Sequence, residues 1–400
     1  MGALDGVHVL DFTQVIMGPA CTQVLADHGA GVIKIERPGE GDLARAFGPW
    51  HRGESLAYAS LNRGKRSVAV NIKAPEGKAV IERLLPKMDV LVHNFRPGVM
   101  ERLGLDYSTT ARRYPKLIYA TGSGFGTRGP YAERGKGGHE SLAQALSGLL
   151  AKCSGSEGPT RRLPVAVADF TAGMLLAQAI LLALIARERT GRGQFVETSL
   201  LDGLMAMQAW ETSALLNTLD QKPVDHAANP LDGAVYRTLD GHLMVTALFR
   251  ANALEDLCVA LGIENLSTDP RFATLEALVA NADTLRARLE PVLATRPTAE
   301  WIPKLEAHDI LCAAVRSTAE ALCDPQLIAN RLIIETEDPH RGKLRHIGTP
   351  LRLQGTPPAP SAVAPILGEH TDEVLKEHGF TADEIAMLRA RKIIGSDPPA

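Results

Sequence analysis

Cysteine is scarce. The five present (Cys21, Cys153, Cys258, Cys312, Cys323) are odd in number and scattered, with no CxxC pair. A disulfide framework and a zinc ribbon are thereby excluded, and a reducing, cytoplasmic compartment is expected. Aromatic residues make up only 4% of the chain, too few to build a stacking platform for single-stranded nucleic acid. Neither sign of charge dominates: 43 Lys and Arg against 46 Asp and Glu leave −3. That argues against bulk binding to nucleic acid or to an anionic membrane. Long apolar runs are missing as well. The longest, residues 174–186, is interrupted by Gln178 and ends at Arg187-Glu188-Arg189, short of the roughly 18–20 residues of a membrane span. It reads as a buried core helix. The first six residues lead directly into a strand-like run, without a basic stretch and an apolar one after it, so no leader is expected. Gly-Lys-Ser/Thr, G-x-S-x-G, H-E-x-x-H and any comparable metal cluster are absent, and no metal is expected.

What is present is an ordinary globular composition, 45% hydrophobic and 22% charged, on 400 residues. That length favours two domains, or one large domain carrying an insertion. Short apolar runs at 7–12, 31–36, 68–72, 89–94 and 117–121 read as strands, with helices at 19–28 and 75–87 between them. Alternation of this kind predicts βαβ units and a parallel sheet, with sites at the carboxyl ends of the strands. Helices at 139–150 and 170–187, a strand at 193–198 and a helix at 200–219 follow. Residues 222–230 read as a linker. Residues 235–239 and 242–245, joined through Asp240-Gly241, read as a hairpin. Helical segments then run to about 321, a Pro-rich connector covers 355–360, and an amphipathic helix over 382–393 closes the chain.

Several residues are candidates for chemistry, each with a plainer reading beside it. Arg37 follows the second strand and suits a phosphate, or is simply a surface residue. Lys65-Arg66, Lys73, Arg96 and Arg102 flank later strands. Gathered on one rim they would suit a ligand with several phosphates, such as coenzyme A; otherwise they are scattered surface charge. The turn from Thr13 to Pro19 lacks G-x-G-x-x-G. Gly124 to Gly129 matches that pattern, but it follows the last strand of the series and no clear helix opens at Gly129-Pro130. It is either a site-lining loop or a plain connection. Asp169 sits among small residues just before an apolar helix. It reads as the N-cap of that helix, or as a carboxylate nucleophile held ionised by the helix N-terminus. His139, after Gly137-Gly138, reads as a loop or capping residue, or as one base of a His/Asp pair.

Taken together, the motifs resemble the class III coenzyme A transferases, along nearly the whole chain. The matching pieces include Leu4-Asp5-Gly6 through Asp11-Phe12-Thr13, Gly18-Pro19-Ala20-Cys21-Thr22-Gln23 and Val32-Ile33-Lys34-Ile35-Glu36-Arg37-Pro38. Others are Gly64-Lys65-Arg66-Ser67, Asn94-Phe95-Arg96-Pro97-Gly98, Gly124-Phe125-Gly126, Ala168-Asp169 and Gly368-Glu369-His370-Thr371. The resemblance implies an α/β fold: a large Rossmann-like domain with a parallel sheet plus a smaller α+β domain, assembled as an interlocked homodimer. In those terms residues 1–222 form the first part of the large domain, 223–325 the small domain, and 326–400 return to the large domain. It implies Asp169 as the catalytic residue. It places coenzyme A on Val15, Arg37, Val70, Asn71, Ile72, Lys73, Asn94, Phe95, Arg96, Arg102, Lys136, Gly137, Gly138 and His139. Acyl-CoA would be substrate rather than a tightly bound cofactor, and the other partner a carboxylic acid.

The resemblance also carries departures. Formyl-CoA transferase has a glutamine where this chain has Ile16 beside Met17, which points away from the formyl/oxalate pair. A glycine run of that enzyme's small domain is replaced by Leu231-Asp232-Gly233-Ala234. Gly138-His139-Glu140 with Asp169 is similar to α-methylacyl-CoA racemase, whereas Ala143-Gln144-Ala145 is similar to the transferases. The expected function is transfer of coenzyme A between a thioester and an acid through an aspartyl anhydride and an aspartyl-CoA thioester. The alternative is a 2-methylacyl-CoA racemase using His139 and Asp169. A third reading is a non-catalytic CoA-binding or interaction protein of the same fold, but a pure scaffold would need neither Asp169 nor the basic rim.

Overall fold

The short apolar runs of the first half become adjacent parallel strands. β1 (His8–Asp11), β2 (Gly31–Glu36), β3 (Arg66–Ala69), β4 (Val90–His93), β5 (Ile118–Ser123) and β6 (Phe195–Ser199) form one six-stranded sheet. Its order is β3-β2-β1-β4-β5-β6, and every pairing is parallel. Strands β4 and β5 are buried along their whole length, as expected for a sheet covered on both faces. This strand order places a topological switch point between β1 and β4, and the crevice outside their carboxyl ends is where such sheets take ligands.

The computed structural model describes residues 1–153, 161–217, 229–247, 251–358 and 362–396. They fall into two compact units, Met1–Gln208 with Ile328–Ala400, and Ala209–Leu327. In the first unit, α1 (Met17–Asp27) follows β1 and ends at Gly29, whose φ of +102° suits glycine. α2 (Pro75–Leu84) opens on proline at its first turn. α3 (Glu140–Leu146), α4 (Val167–Thr190) and α5 (Leu200–Met207) follow β5 or flank β6. Glycine lets α1 and α4 approach: a Cβ on Gly173 would lie 2.5 Å from the Met17 carbonyl oxygen.

α4 is longer than the apolar run from which it was expected, and only one of its faces is core. Ala172, Gly173, Leu176, Ile180 and Ala183 are buried, whereas Phe170, Met174, Leu182 and Ile185 are exposed. Its length and composition would allow it to cross a bilayer, but its inward face packs with α1 and strand residues of the sheet. The helix expected over 200–219 is broken at Gln208, whose side-chain amide donates to the carbonyls of Leu204 and Ser147. A short helix, Pro130–Glu133, does open at Gly129-Pro130, with proline in its first turn.

The carboxyl-terminal segment completes the exposed edge of the sheet. α6 (Thr371–Glu377) and α7 (Ala382–Ala390) are followed by residues that pair with the end of β3. Val70 bridges Ile394, and the Asn71 and Gly395 N–H groups donate to Ile393 and Ala69. Thr371 Oγ1 accepts from the Ala69 N–H at 3.1 Å. The strand expected over 68–72 therefore begins earlier, at Arg66, and its last residues pair with the chain end instead.

The second unit is built on a three-stranded antiparallel sheet, with Ala234–Arg237 and Leu311–Ala314 on either side of His242–Thr246. The hairpin expected at Asp240-Gly241 is present. Trp301 is fully buried there, and its indole N–H donates to the Leu293 carbonyl at 2.8 Å. Most of the expected 222–230 linker, residues 222–228, and the end of the 355–360 connector lie outside the described residues.

Candidate functional site

A cleft of about 520 Å³ opens at the switch point, lined by residues that follow β1, β4 and β5 and by the starts of α3 and α4. Each wall is set by backbone chemistry. After β1 the chain turns through Thr13, Gln14 and Val15. Val15 has φ of +69°, a left-handed conformation that costs a β-branched residue about 1–3 kcal/mol. One half-buried and two buried side chains secure this turn. Asn94 Oδ1 accepts from Gln14 N–H and its amide donates to the Gln14 carbonyl, both at 2.8 Å. Asp42 Oδ1 accepts from Val15 N–H at 2.9 Å, and Lys34 donates to the Thr13 carbonyl at 2.7 Å. Val15, Ile16 and Met17 are thereby presented to the cleft.

The opposite wall depends on missing side chains. A Cβ on Gly124 would sit 2.2 Å from Gly138 Cα, and one on Gly137 would meet the Arg96 guanidinium at 2.7 Å. The Gly-rich stretch is therefore a site-lining loop that packs directly on the 136–139 segment. Lys136 lies over the Tyr131 ring, 4.2 Å from its centroid.

Asp169 lies in the first turn of α4, half-buried on the cleft wall. It is not the N-cap of its helix. The cap comes from another element: Glu140 Oε1 accepts from Ala168 N–H at 3.1 Å, and Oε2 accepts from Asp169 N–H at 2.8 Å. Gln144 Nε2 donates to the same Glu140 carboxylate at 2.7 Å. Burial pushes the Asp169 carboxyl up to about 7, and the adjacent Glu140 charge adds to the rise. A carboxyl raised by burial in a cleft makes Asp169 a candidate functional position. His139 is exposed and caps α3, its Nδ1 accepting from Ser141 N–H at 3.2 Å.

Of the residues singled out in the sequence, Val15, Asn94, Phe95, Arg96, Lys136, Gly138, His139 and Asp169 line this cleft together. Gly137 stands between two of them. Arg37, Val70, Asn71, Ile72, Lys73 and Arg102 do not line it. Arg37 is exposed and pairs with Glu40 at 2.7 Å. Val70 is buried, Asn71 donates to the chain end, and Lys73 and Arg102 are exposed. Two cations of the expected rim are elsewhere altogether. Lys65 is fully buried at the amino end of β3, 3.5 Å from Asp11, and burial lowers its ammonium to about 8. Arg66 pairs with Glu373 and Glu377. Arg162, Gln14, Ser123 and Leu200 line the cleft without having been singled out, and so does Glu140, which the sequence marks only beside His139 and without a role. No local signal marks the first four, and Glu140 was legible only as the third residue of Gly138-His139-Glu140.

The sequence model of CoA-transferase family III matches residues 4–371. The chain is 33% identical to succinyl-CoA–D-citramalate CoA-transferase of Chloroflexus aurantiacus, over 98% of each chain. It is 34% identical to formyl-CoA:oxalate CoA-transferase of Escherichia coli, over 98% of this chain and 99% of that one. The crystal structure of a CAIB/BAIF family protein from Brucella suis matches with a TM-score of 0.84 at 30% identity, covering 94% of this chain and 99% of that one.

Proposed function

Because the chain belongs to CoA-transferase family III, whose members move coenzyme A between acyl-CoA thioesters and acids, we propose that it does so through a covalent intermediate on Asp169. The observation that carries this is the Asp169 carboxyl itself, half-buried in the cleft at a helix start, with Glu140 beside it. The Asp169 carboxylate attacks the acyl-CoA carbonyl, forming a mixed anhydride and releasing CoA thiolate. The thiolate attacks the aspartyl carbonyl, giving an aspartyl-CoA thioester and freeing the donor acid. The acceptor carboxylate then attacks that thioester, and the returning thiolate cleaves the new anhydride at its acyl carbonyl. Thioester energy is conserved throughout, provided water is excluded.

The rim of the sheet supports the remaining binding positions. Arg37 follows β2, residues 70–73 follow β3 and Asn94–Arg96 follow β4, all at carboxyl ends. From β3 to β5 the rim crosses four strand spacings, roughly 19 Å, a run long enough for an extended CoA with its acyl end near Asp169. Arg96 lines the cleft and Arg37 is held by Glu40. Arg96→Ala is expected to weaken CoA binding by about 1–3 kcal/mol, the worth of a charge-assisted hydrogen bond. Arg37→Ala is expected to cost less. Titration calorimetry with CoA measures both, and equal affinities for parent and Arg96→Ala would remove Arg96 from the site.

Ile16, Met17, Val165 and Leu200 line the cleft, which favours an acid larger or more apolar than formate. The exposed apolar face of α4 favours a second copy of the chain as its cover, in the interlocked homodimer that the family resemblance implies. Five cysteines without a disulfide fit a cytoplasmic protein. CoA enters here as substrate, with no tightly held cofactor.

Incubation with a cognate acyl-CoA followed by hydroxylamine is expected to convert Asp169 to its hydroxamate, visible by peptide mass spectrometry. A 2-methylacyl-CoA in D₂O is expected to gain little deuterium beside the thioester. Rapid deuterium uptake dependent on His139 and Asp169, with the Asp169 peptide unmodified, is the opposite result and belongs to a racemase.

A further inference from the structure

We propose that the buried Lys34–Asp42 ion pair is a positioning device that holds the 13–15 turn in its left-handed form and thereby places the Val15–Met17 wall of the cleft for chemistry at Asp169. The inference rests on the transferase reading for its catalytic consequence, but the clamp itself is a matter of geometry. Lys34 Nζ and Asp42 Oδ2 are 2.8 Å apart, and both side chains are completely buried. Each partner then makes one bond to the turn: Lys34 to the Thr13 carbonyl, Asp42 to the Val15 N–H. The pair thus holds the two ends of the turn, Thr13 and Val15. Asp42 is fixed in its own right, its N–H donating to Glu36 Oε1 at 2.9 Å and its Oδ1 also accepting from Ala44 N–H. Burial alone would drive Lys34 toward neutrality, but Asp42, Asp11 and Glu36 outweigh it and keep the ammonium charged.

A buried ion pair is a poor way to gain stability, because desolvation offsets most of the attraction. Its worth lies in geometry. Val15 does not adopt φ of +69° for its own sake, and a turn left unheld would relax toward ordinary backbone. Neither Lys34 nor Asp42 lines the cleft, so any effect on the reaction passes through backbone they hold: the 13–15 turn for both, and for Asp42 also Ala44, which lines the cleft and whose N–H it accepts. That makes them positioning residues, in contrast to Asn94, which secures Gln14 but also lines the cleft.

The test uses the full chain with Asp42→Asn, Asp42→Asn with Val15→Gly, and Lys34→Met with Asp42→Asn in case the first variant is left with a destabilising unpaired lysine. Two readings are taken: amide hydrogen exchange of a peptide spanning 13–17, with one from the middle of α4 as reference, and the rate of covalent capture of Asp169 from a cognate acyl-CoA. In Asp42→Asn, exchange at 13–17 is expected to quicken by about tenfold while the α4 peptide is unchanged. Capture of Asp169 is expected to slow by roughly 10–100-fold, the scale of a misplaced wall, with little change in the half-saturating acyl-CoA concentration. Adding Val15→Gly is expected to recover part of that rate, since glycine takes the left-handed turn without strain. Parent-like exchange at 13–17 overturns the clamp. So does a slower capture that Val15→Gly leaves untouched and that accompanies faster exchange throughout the chain, which is the pattern of a purely structural role. If the parent itself shows no capture, the transferase reading fails while the exchange result still decides the clamp.

Discussion

Asp169→Ala is expected to lose CoA exchange by at least roughly 10⁴-fold, the scale on which enzymes lose a covalent nucleophile, while still binding CoA. Exchange is followed by mass spectrometry of the acyl-CoA products, and binding by calorimetry. Stability should move the other way. Asp169 titrates near 7 in the folded protein against about 4 in an unfolded chain. The folded state therefore holds this proton more tightly, and it loses stability as pH rises from about 4 to about 7. The alanine variant lacks that loss. At pH 8 it should melt at or above the parent, and at pH 4 the advantage should be gone. Turnover within tenfold of the parent, or a variant that no longer binds CoA, would contradict the role assigned here.

Glu140 is expected to produce the second large effect, and it separates two of its functions. Glu140→Ala removes the acceptor for the Ala168 and Asp169 N–H groups and for the Gln144 amide. Leaving buried donors unpaired costs roughly 1–3 kcal/mol, so a lower melting temperature is expected. Glu140→Gln keeps an oxygen for one of those donors but discards the charge. Because that charge helps raise Asp169, the midpoint of the rate of Asp169 capture against pH should move from near 7 toward the ordinary carboxylate range. A role confined to capping would move the melting temperature and leave this midpoint where it was. An unchanged midpoint would falsify the electrostatic part of the account.

The strands were legible because each is a short apolar run bounded by Gly, Pro or charge, and because burial on both faces removes any alternation that could be misread. The start of α2 was legible from Pro75, and the end of α1 from Gly29. Asp169 itself stood out by its small neighbours, but its partner did not. Sequence placed Asp169 as a possible cap because a carboxylate before an apolar helix often is one. The actual cap, Glu140, comes from 29 residues away in the chain, and no local pattern reports a tertiary acceptor. Lys65 misled for the same reason: a lysine beside an arginine looks like surface charge until Asp11 is found beneath it. The clamp on Val15 was invisible in sequence, since Lys34 lies in an apolar strand and Asp42 in a loop, and only the fold brings them to one turn.

The pairing of Val70 with Ile394 has a consequence for how the protein is made. The β3 edge is finished by residues that leave the ribosome roughly 325 positions later, which at 5–20 residues per second is roughly 15–65 s. Until then residues 393–395 are not there to pair beside Val70, and the whole of the Ala209–Leu327 unit is synthesised in that interval. An uncapped edge of this kind is a template for pairing with another chain. Pairing with another chain at this edge is therefore expected to be a risk during synthesis, relieved once residues 393–395 cover it.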